Sequence, residues 1–371
     1  MPGSHRDGVI LAPQSVLQPG ELDRLNGLLA DAGLGRPLGT PAAGPPGTPA
    51  GLVELPLTGV DPAAVRDALR RIGAARGLPV PELLPDVEYV VGTGEEEFAA
   101  SGKKIGHGTA GRLPAPAYAM PPAPPWRPLG RRPVVAVLDT GVEPHDWLPQ
   151  PVQGQAFAVT ATAFQPLLPL RPGSGSDPFH GHGSFLAGLV RLAGPDAQVL
   201  SVPVMSGYGK VSEQNVVAAL NWVVDHGGTV DVVLMAFGRA TDPTDPELEP
   251  VRRAIRRLPA GTVVVASAGN GRSENPVYPA AFAVESGMPV VSVGARTSST
   301  ERAPFSDSGP WVREWRPGTE VISILPLPFA DARRNGYAWW SGTSFAAATY
   351  AGEAAQRVLA APPVPAPVGG P

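Results

Sequence analysis

Ser341-Gly342-Thr343-Ser344 runs straight into Phe345-Ala346-Ala347-Ala348, which places a serine on the first turn of a small-residue helix. Its hydroxyl then sits at the positive end of the helix dipole, beside backbone N–H groups that have no partner within the helix. An acyl-transfer nucleophile needs that setting, because the tetrahedral intermediate carries a developing negative oxygen. Taken alone, the segment is equally an N-cap, since Thr and Ser routinely cap helices.

Three upstream segments supply the missing chemistry. Val134-Val135-Ala136-Val137-Leu138 is a continuous apolar run, the pattern of a buried parallel strand, and it ends in Asp139-Thr140-Gly141. His182-Gly183-Ser184 leads into a helix whose apolar face carries Leu186, Leu189 and Val190. Val263-Val264-Val265-Ala266 is a second buried strand, running through Ser267-Ala268-Gly269 to the side-chain amide of Asn270. Together these are a nucleophile, a base, a carboxylate to orient the base, and a donor for an oxyanion. They occur in the chain order Asp, His, Ser. No G-x-S-x-G elbow surrounds Ser344, which argues against a lipase or esterase.

The base has competitors. His180 and His182 form an H-x-H pair near Asp177, which resembles half of a metal site but has no cysteine and no fourth ligand. His107-Gly108-Thr109 imitates the His-Gly word, yet it precedes Asp139 and has no apolar helix behind it. His145 reads as a packing or capping residue in the loop after the Asp139 strand. His226 ends a helix, where a cation is mildly favoured.

On these words residues 131–360 resemble the subtilisin-like serine peptidases. The resemblance continues through Asn221-Trp222-Val223-Val224-Asp225-His226, through Asp231 to Gly238, and through Tyr278-Pro279-Ala280. It extends over Val290 to Ala295, Ala303 to Gly309, and Arg316-Pro317-Gly318. It implies a three-layer α/β domain with a mainly parallel sheet. It also implies Asp139, His182 and Ser344 as the triad, with the Asn270 amide and the Ser344 N–H as the oxyanion hole. The same resemblance makes Ala236, Phe237 and Gly238 one wall of the S1 pocket, Ser267, Ala268 and Gly269 the other, and Val277 its floor. A β-branched floor predicts a shallow slot for medium apolar P1 residues, unless an acid such as Glu274 reaches it. Two positions depart from the family pattern. Phe185 stands where a second histidine is usual, and Ala348 where a proline is usual; a proline's absence restores a helix N–H. The implied function is a serine endopeptidase, made as a zymogen and suited to intracellular processing. The alternatives are a pseudo-peptidase binding module, which four intact catalytic positions disfavour, and a transpeptidase or cyclase working from the same acyl-enzyme.

Composition fits that class. The 371 residues are enough for two domains, and 43% hydrophobic content can cover a sheet on both faces. With a net charge of -4 and lysine only at Lys103, Lys104 and Lys210, there is no basic stripe and no case for nucleic acid. Zero cysteines exclude disulfides and thiol catalysis. No cofactor is expected, and structural calcium stays open because no dense Asp/Asn run appears. Met1 to Gly8 is polar and no run approaches the roughly 20 apolar residues of a membrane span, so a cytoplasmic protein is expected, with no membrane partner.

Residues 1–96 read as a separate small α+β unit. Val9-Ile10-Leu11, Leu52 to Leu57 and Val87 to Val91 have strand character. Leu22, Leu25, Leu28 and Leu29 line a helix that Gly33 ends, and a second helix starts at Asp61-Pro62 and buries Val65, Leu69 and Ile72. The order suggests a ferredoxin-like sandwich. By placement it resembles the family's propeptide, which implies an intramolecular inhibitor and folding chaperone; an unrelated accessory domain fits the pattern equally. Residues 97–130 are a Pro/Gly/Ala-rich, semi-rigid linker, and 361–371 a Pro-rich tail.

Overall fold

The computed structural model describes residues 9–13, 20–40, 52–58, 62–79, 84–85, 88–90, 115–116, 127–143, 145–148, 152–153, 181–205, 209–226, 230–297, 301–325 and 336–360, with the single residues 18, 60 and 179. Among them, the expected buried strands form one seven-stranded sheet. Its strands are β6 (Val134–Asp139), β7 (Val152–Gln153), β8 (Gln198–Pro203), β10 (Val232–Met235), β12 (Val263–Ser267), β14 (Val290–Arg296) and β15 (Glu314–Pro317). Their spatial order is β15-β14-β12-β10-β6-β8-β7, and every neighbouring pair is parallel.

Both faces are covered, which is why the strands read as unbroken apolar runs. Alternation along β6 divides the two layers: Ala136 and Leu138 join one core, Val135 and Val137 the other. The first core lies under α4 (Glu213–His226) and α5 (Glu249–Arg256), through Val216, Leu220, Val251 and Ile255. The second lies under α3 (His182–Ala193) and α6 (Thr343–Ala360), through Leu186, Val190, Ala347 and Ala351. The alanine run after Ser344 is therefore a packing device as well as a helix former. At Gly352 a Cβ would lie 2.4 Å from the Val190 carbonyl, so only glycine lets α6 sit this close to α3.

The N-terminal unit has β1 (Val9–Pro13), α1 (Glu21–Asp31), β2 (Leu52–Pro56), α2 (Pro62–Arg76) and β3 (Leu84–Pro85). Its sheet is ordered β2-β1-β3, and Leu25, Leu29, Leu55, Val65 and Leu69 form its core. Gly33 ends α1 at φ 79°, with the Leu34 N–H returning to the Leu29 carbonyl at 3.0 Å.

The expected strand at 87–91 is placed differently from the sequence reading. β3 completes the small sheet, whereas β4 (Glu88–Val90) pairs antiparallel with β9 (Lys210–Ser212) of the larger domain. The linker also differs from a plain spacer. Its β5 (Ala115–Pro116) joins a second small sheet with β16 (Val321–Ile324) and β17 (Tyr337–Trp340). Arg127, near its end, forms a two-point ion pair with buried Asp196. Asp61 and residues 361–371 lie outside the described residues. No helix among the described residues is long and apolar enough to cross a membrane.

Candidate active site

Parallel strands bring all their C-terminal ends to one edge, and β12, β10 and β6 are neighbours there. That edge collects Asp139 from β6, Ala236 just past β10, and Asn270 just past β12. α3 and α6 then bring His182 and Ser344 over it by their first turns. Residues up to 205 places apart in sequence become one site because topology, not spacing, joins them.

His182 Nδ1 lies 2.9 Å from Asp139 Oδ1 and 3.0 Å from Oδ2, with the histidine 1% and the aspartate 0% exposed. Asp139 Oδ1 also accepts the Thr140 N–H at 2.8 Å. The approach of α3 is fixed from both ends of that turn. The Thr140 hydroxyl accepts the Gly183 N–H at 3.1 Å, and Ser184 Oγ accepts the Glu143 N–H at 2.9 Å. A Cβ on Gly183 would fall 2.3 Å from the Gly141 carbonyl, which is why glycine follows the histidine.

An aromatic shell covers the imidazole. Trp340 meets it edge-on at 5.4 Å, Phe179 at 6.0 Å, and Phe345 tilts against it at 5.5 Å. Phe185 is fully buried and extends this shell, 4.6 Å from Phe345 and 5.6 Å from Trp340. The position that departs from the family pattern is thus filled by packing. Ala348 lies inside an unbroken α6 and is fully buried.

Ser344 is 2% exposed, and its hydroxyl donates to the Ala236 carbonyl at 3.2 Å. Next to it, Thr343 performs a task the sequence reading missed. Its N–H and its hydroxyl both donate to Asn270 Oδ1, each at 2.9 Å, while the hydroxyl accepts the Gly269 N–H at 3.1 Å. Two donors on one oxygen orient the amide, leaving Nδ2 beside Gly342, near the start of α6. The Gly-Thr-Ser word was readable only as a cap, so Thr343 carried no signal of this role. Trp340 and Phe179 carried none either.

The pocket residues divide. Phe237, Ala268 and Val277 are buried in the α4/α5 core. Gly238 faces Val277 across the β11 (Arg239–Ala240) and β13 (Val277–Tyr278) pair, and a Cβ at Gly238 would come within 2.4 Å of Val277 Cγ1. Glu274 is exposed, with its carbonyl accepting from Trp311 Nε1 at 3.3 Å.

His145 caps its own loop. Its Nδ1 accepts the Trp147 N–H at 3.1 Å, and its ring packs on Tyr337 at 5.3 Å. Burial depresses its pKa, against the pull of Asp146. His107, His180 and Asp177 lie outside the described residues, and the His226 side chain is not described. No group of three or more His, Cys, Asp or Glu able to hold a metal occurs among the described residues.

The model of the subtilase family, Peptidase_S8, matches residues 130–363. Minor extracellular protease Epr of Bacillus subtilis (strain 168) is 28% identical over 225 residues, covering 58% of this chain and 30% of the relative. Alkaline elastase YaB of Bacillus sp. (strain YaB) is 29% identical over 231 residues, 60% of this chain and 53% of the relative. Subtilisin DY of Bacillus licheniformis is 30% identical over 190 residues, 47% and 62% respectively. Each alignment takes in less than two thirds of the relative's own length. A crystal structure of a cold adapted subtilisin-like serine proteinase superposes with a TM-score of 0.47 at 24% identity, covering 62% of this chain and 77% of that one.

Proposed function

The chain belongs to the subtilase family, and on that premise we propose that it is a serine endopeptidase acting through Asp139, His182 and Ser344. The carrying observation is the buried Asp139–His182 pair standing at the strand edge where α6 delivers Ser344. Asp139 holds the imidazole by Nδ1, so Nε2 is the atom that takes the Ser344 proton. The Ala236 carbonyl that holds the resting hydroxyl is a backbone acceptor that the N–H of an extended substrate takes over, and Oγ then turns to His182. Attack on the scissile carbonyl places negative charge on its oxygen, which the Asn270 Nδ2 and the Ser344 N–H stabilise. His182 returns the proton to the leaving amine, and water then releases the acyl-enzyme. Val277, filling the space beside Gly238, makes the P1 slot shallow and favours medium apolar side chains.

The N-terminal unit is, in this reading, the enzyme's own inhibitor and folding aid. Its support is two contacts with the larger domain: the β4–β9 strand pair, and a partly buried ion pair from Arg66 of α2 to Glu247. Residues 1–96 supplied in trans should inhibit the peptidase domain and speed its refolding; no effect on either would make the unit an accessory.

The decisive experiment is labelling with a fluorophosphonate, which needs an activated serine. Wild type should label at Ser344, and Ser344→Ala should lose both labelling and peptide hydrolysis, by about 10⁶-fold in kcat, the value established for subtilisin itself. Labelling at another serine would overturn the assignment, and a folded chain that never labels, even after limited proteolysis has removed residues 1–96, would be a binding module.

A further inference from the structure

β17 leads directly through Ser341-Gly342-Thr343 to Ser344, and its outer edge is taken by two residues of the chain's own linker. Ala115 pairs with Trp339 and Pro116 with Ala338, antiparallel. Moving back along β5 from Ala115 therefore leads towards Trp340 and the serine, and moving forward leads away. A peptide segment on the leaving-group side of a bond cut at Ser344 has that same polarity, since its N-terminal end lies at the serine.

β4 has the opposite, complementary polarity. Its C-terminal residue Val90 pairs with Lys210, next to Gly209. Gly209 lies against Phe179, where a Cβ would meet the ring at 2.6 Å, and Phe179 is edge-on to His182. One strand of the intact chain therefore points its C-terminal end at the catalytic centre, and another points its N-terminal end there.

We infer that Ala115–Pro116, seated on the outer edge of β17, is a built-in blocking segment that takes the place of the leaving-group side of an extended polypeptide. This rests on the peptidase reading above. An edge strand offers a ladder of unpaired backbone groups that an extended chain can complete. Pro116 cannot donate an N–H, which suits it to the outermost strand and blocks a further one. The occupant is tethered: Arg127 closes on Asp196, which is fully buried and also accepts from Gln356 Nε2 at 3.0 Å. Departure of residues 1–96 would leave β5 attached to the peptidase domain, at the millimolar effective concentration of a short tether. The leaving-group side is then a second lock, independent of the inhibitor on the acyl side.

The test uses the full chain and a peptide ester that supplies only acyl-side residues. The acyl-enzyme it forms partitions between water and added amines. An amine attacks the Ser344 ester carbonyl, the bond to Oγ breaks, and Oγ regains a proton through His182. Capture by a tripeptide amide, which reaches along β17, is compared with capture by an alanine amide, which does not. The ratio needs no knowledge of the absolute rate. Ala115→Pro removes the remaining β5 donor and should raise the tripeptide preference about 5-fold or more. Free peptide 113–118 should then lower it again. Arg127→Gln, an exposed change that loosens the tether, should raise the preference by a smaller factor. An unchanged ratio in both variants overturns the inference, as does an equal gain for the alanine amide. Failure to form any acyl-enzyme, also after limited proteolysis has removed residues 1–96, would instead bring down the peptidase reading, and this inference with it.

Discussion

Thr343 offers the sharpest test of the oxyanion hole proposed at Asn270. Thr343→Val keeps the shape and removes only the hydroxyl, at a site 1% exposed. Two bonds go with it, the 2.9 Å donation to Asn270 Oδ1 and the 3.1 Å acceptance from the Gly269 N–H. A buried Gly269 donor left unpaired costs about 1–3 kcal/mol of stability. The catalytic effect has a ceiling, because Asn270 keeps its bond from the Thr343 N–H. Losing an oxyanion donor outright costs about 10²–10³-fold in kcat, the value known for subtilisin; losing one of the amide's two anchors should cost about 10- to 100-fold. KM should move less than about twofold, because the charge that the amide serves exists mainly in the transition state. Steady-state kinetics on a chromogenic peptide separates the two. Thr343→Ser, which keeps the hydroxyl, should restore most of kcat. In an Asn270→Ala background, Thr343→Val should cost no more than about threefold, since the amide it positions is gone. A KM effect at normal kcat, or full additivity in that cycle, would refute the positioning role.

Val277→Gly should raise kcat/KM for aromatic P1 residues relative to leucine by about 10-fold, within the 1–3 kcal/mol an apolar pocket discriminates. Because Val277 is 1% exposed, the same change should lower the melting temperature; a P1 profile dominated by arginine or lysine would refute the pocket. Arg66→Ala should weaken inhibition by the N-terminal unit in trans about 10- to 100-fold, since Glu247 loses a partner across a partly buried contact; an unchanged inhibition constant would remove that contact from the interface. The Arg127 hydrogen bonds hold the Asp196 carboxyl at about 2, with burial opposing them and Gln356 and Arg132 assisting. Its folded value lies below its unfolded one, so its contribution is complete above about pH 4 and is lost as pH falls towards 2. Thermal melts should show that loss in wild type and a flatter curve in Asp196→Asn; parallel curves would refute the coupling.

Much of this protein was legible in its residues, for a physical reason. A parallel strand covered on both faces must be apolar throughout, so Val134–Leu138 and Val263–Ala266 declared themselves, and the polar residue ending each run marked the sheet edge. The chain order of Asp139, His182 and Ser344, with the alanines behind Ser344, pointed to the family. The rest depended on groups brought together across long stretches of chain. Thr343 reads as a cap until β12 is set beside α6, because its hydroxyl partners lie over seventy residues upstream. The aromatic shell on His182 joins Phe179, Trp340 and Phe345, whose types alone say only that they are buried. β4 and β5 show the limit most clearly. Strand character is local, and Glu88–Val90 displayed it, but the choice of partner is not local. Backbone hydrogen bonds look alike on every edge, so only the assembled molecule decided that these strands serve the larger domain, β4 on β9 and β5 on β17.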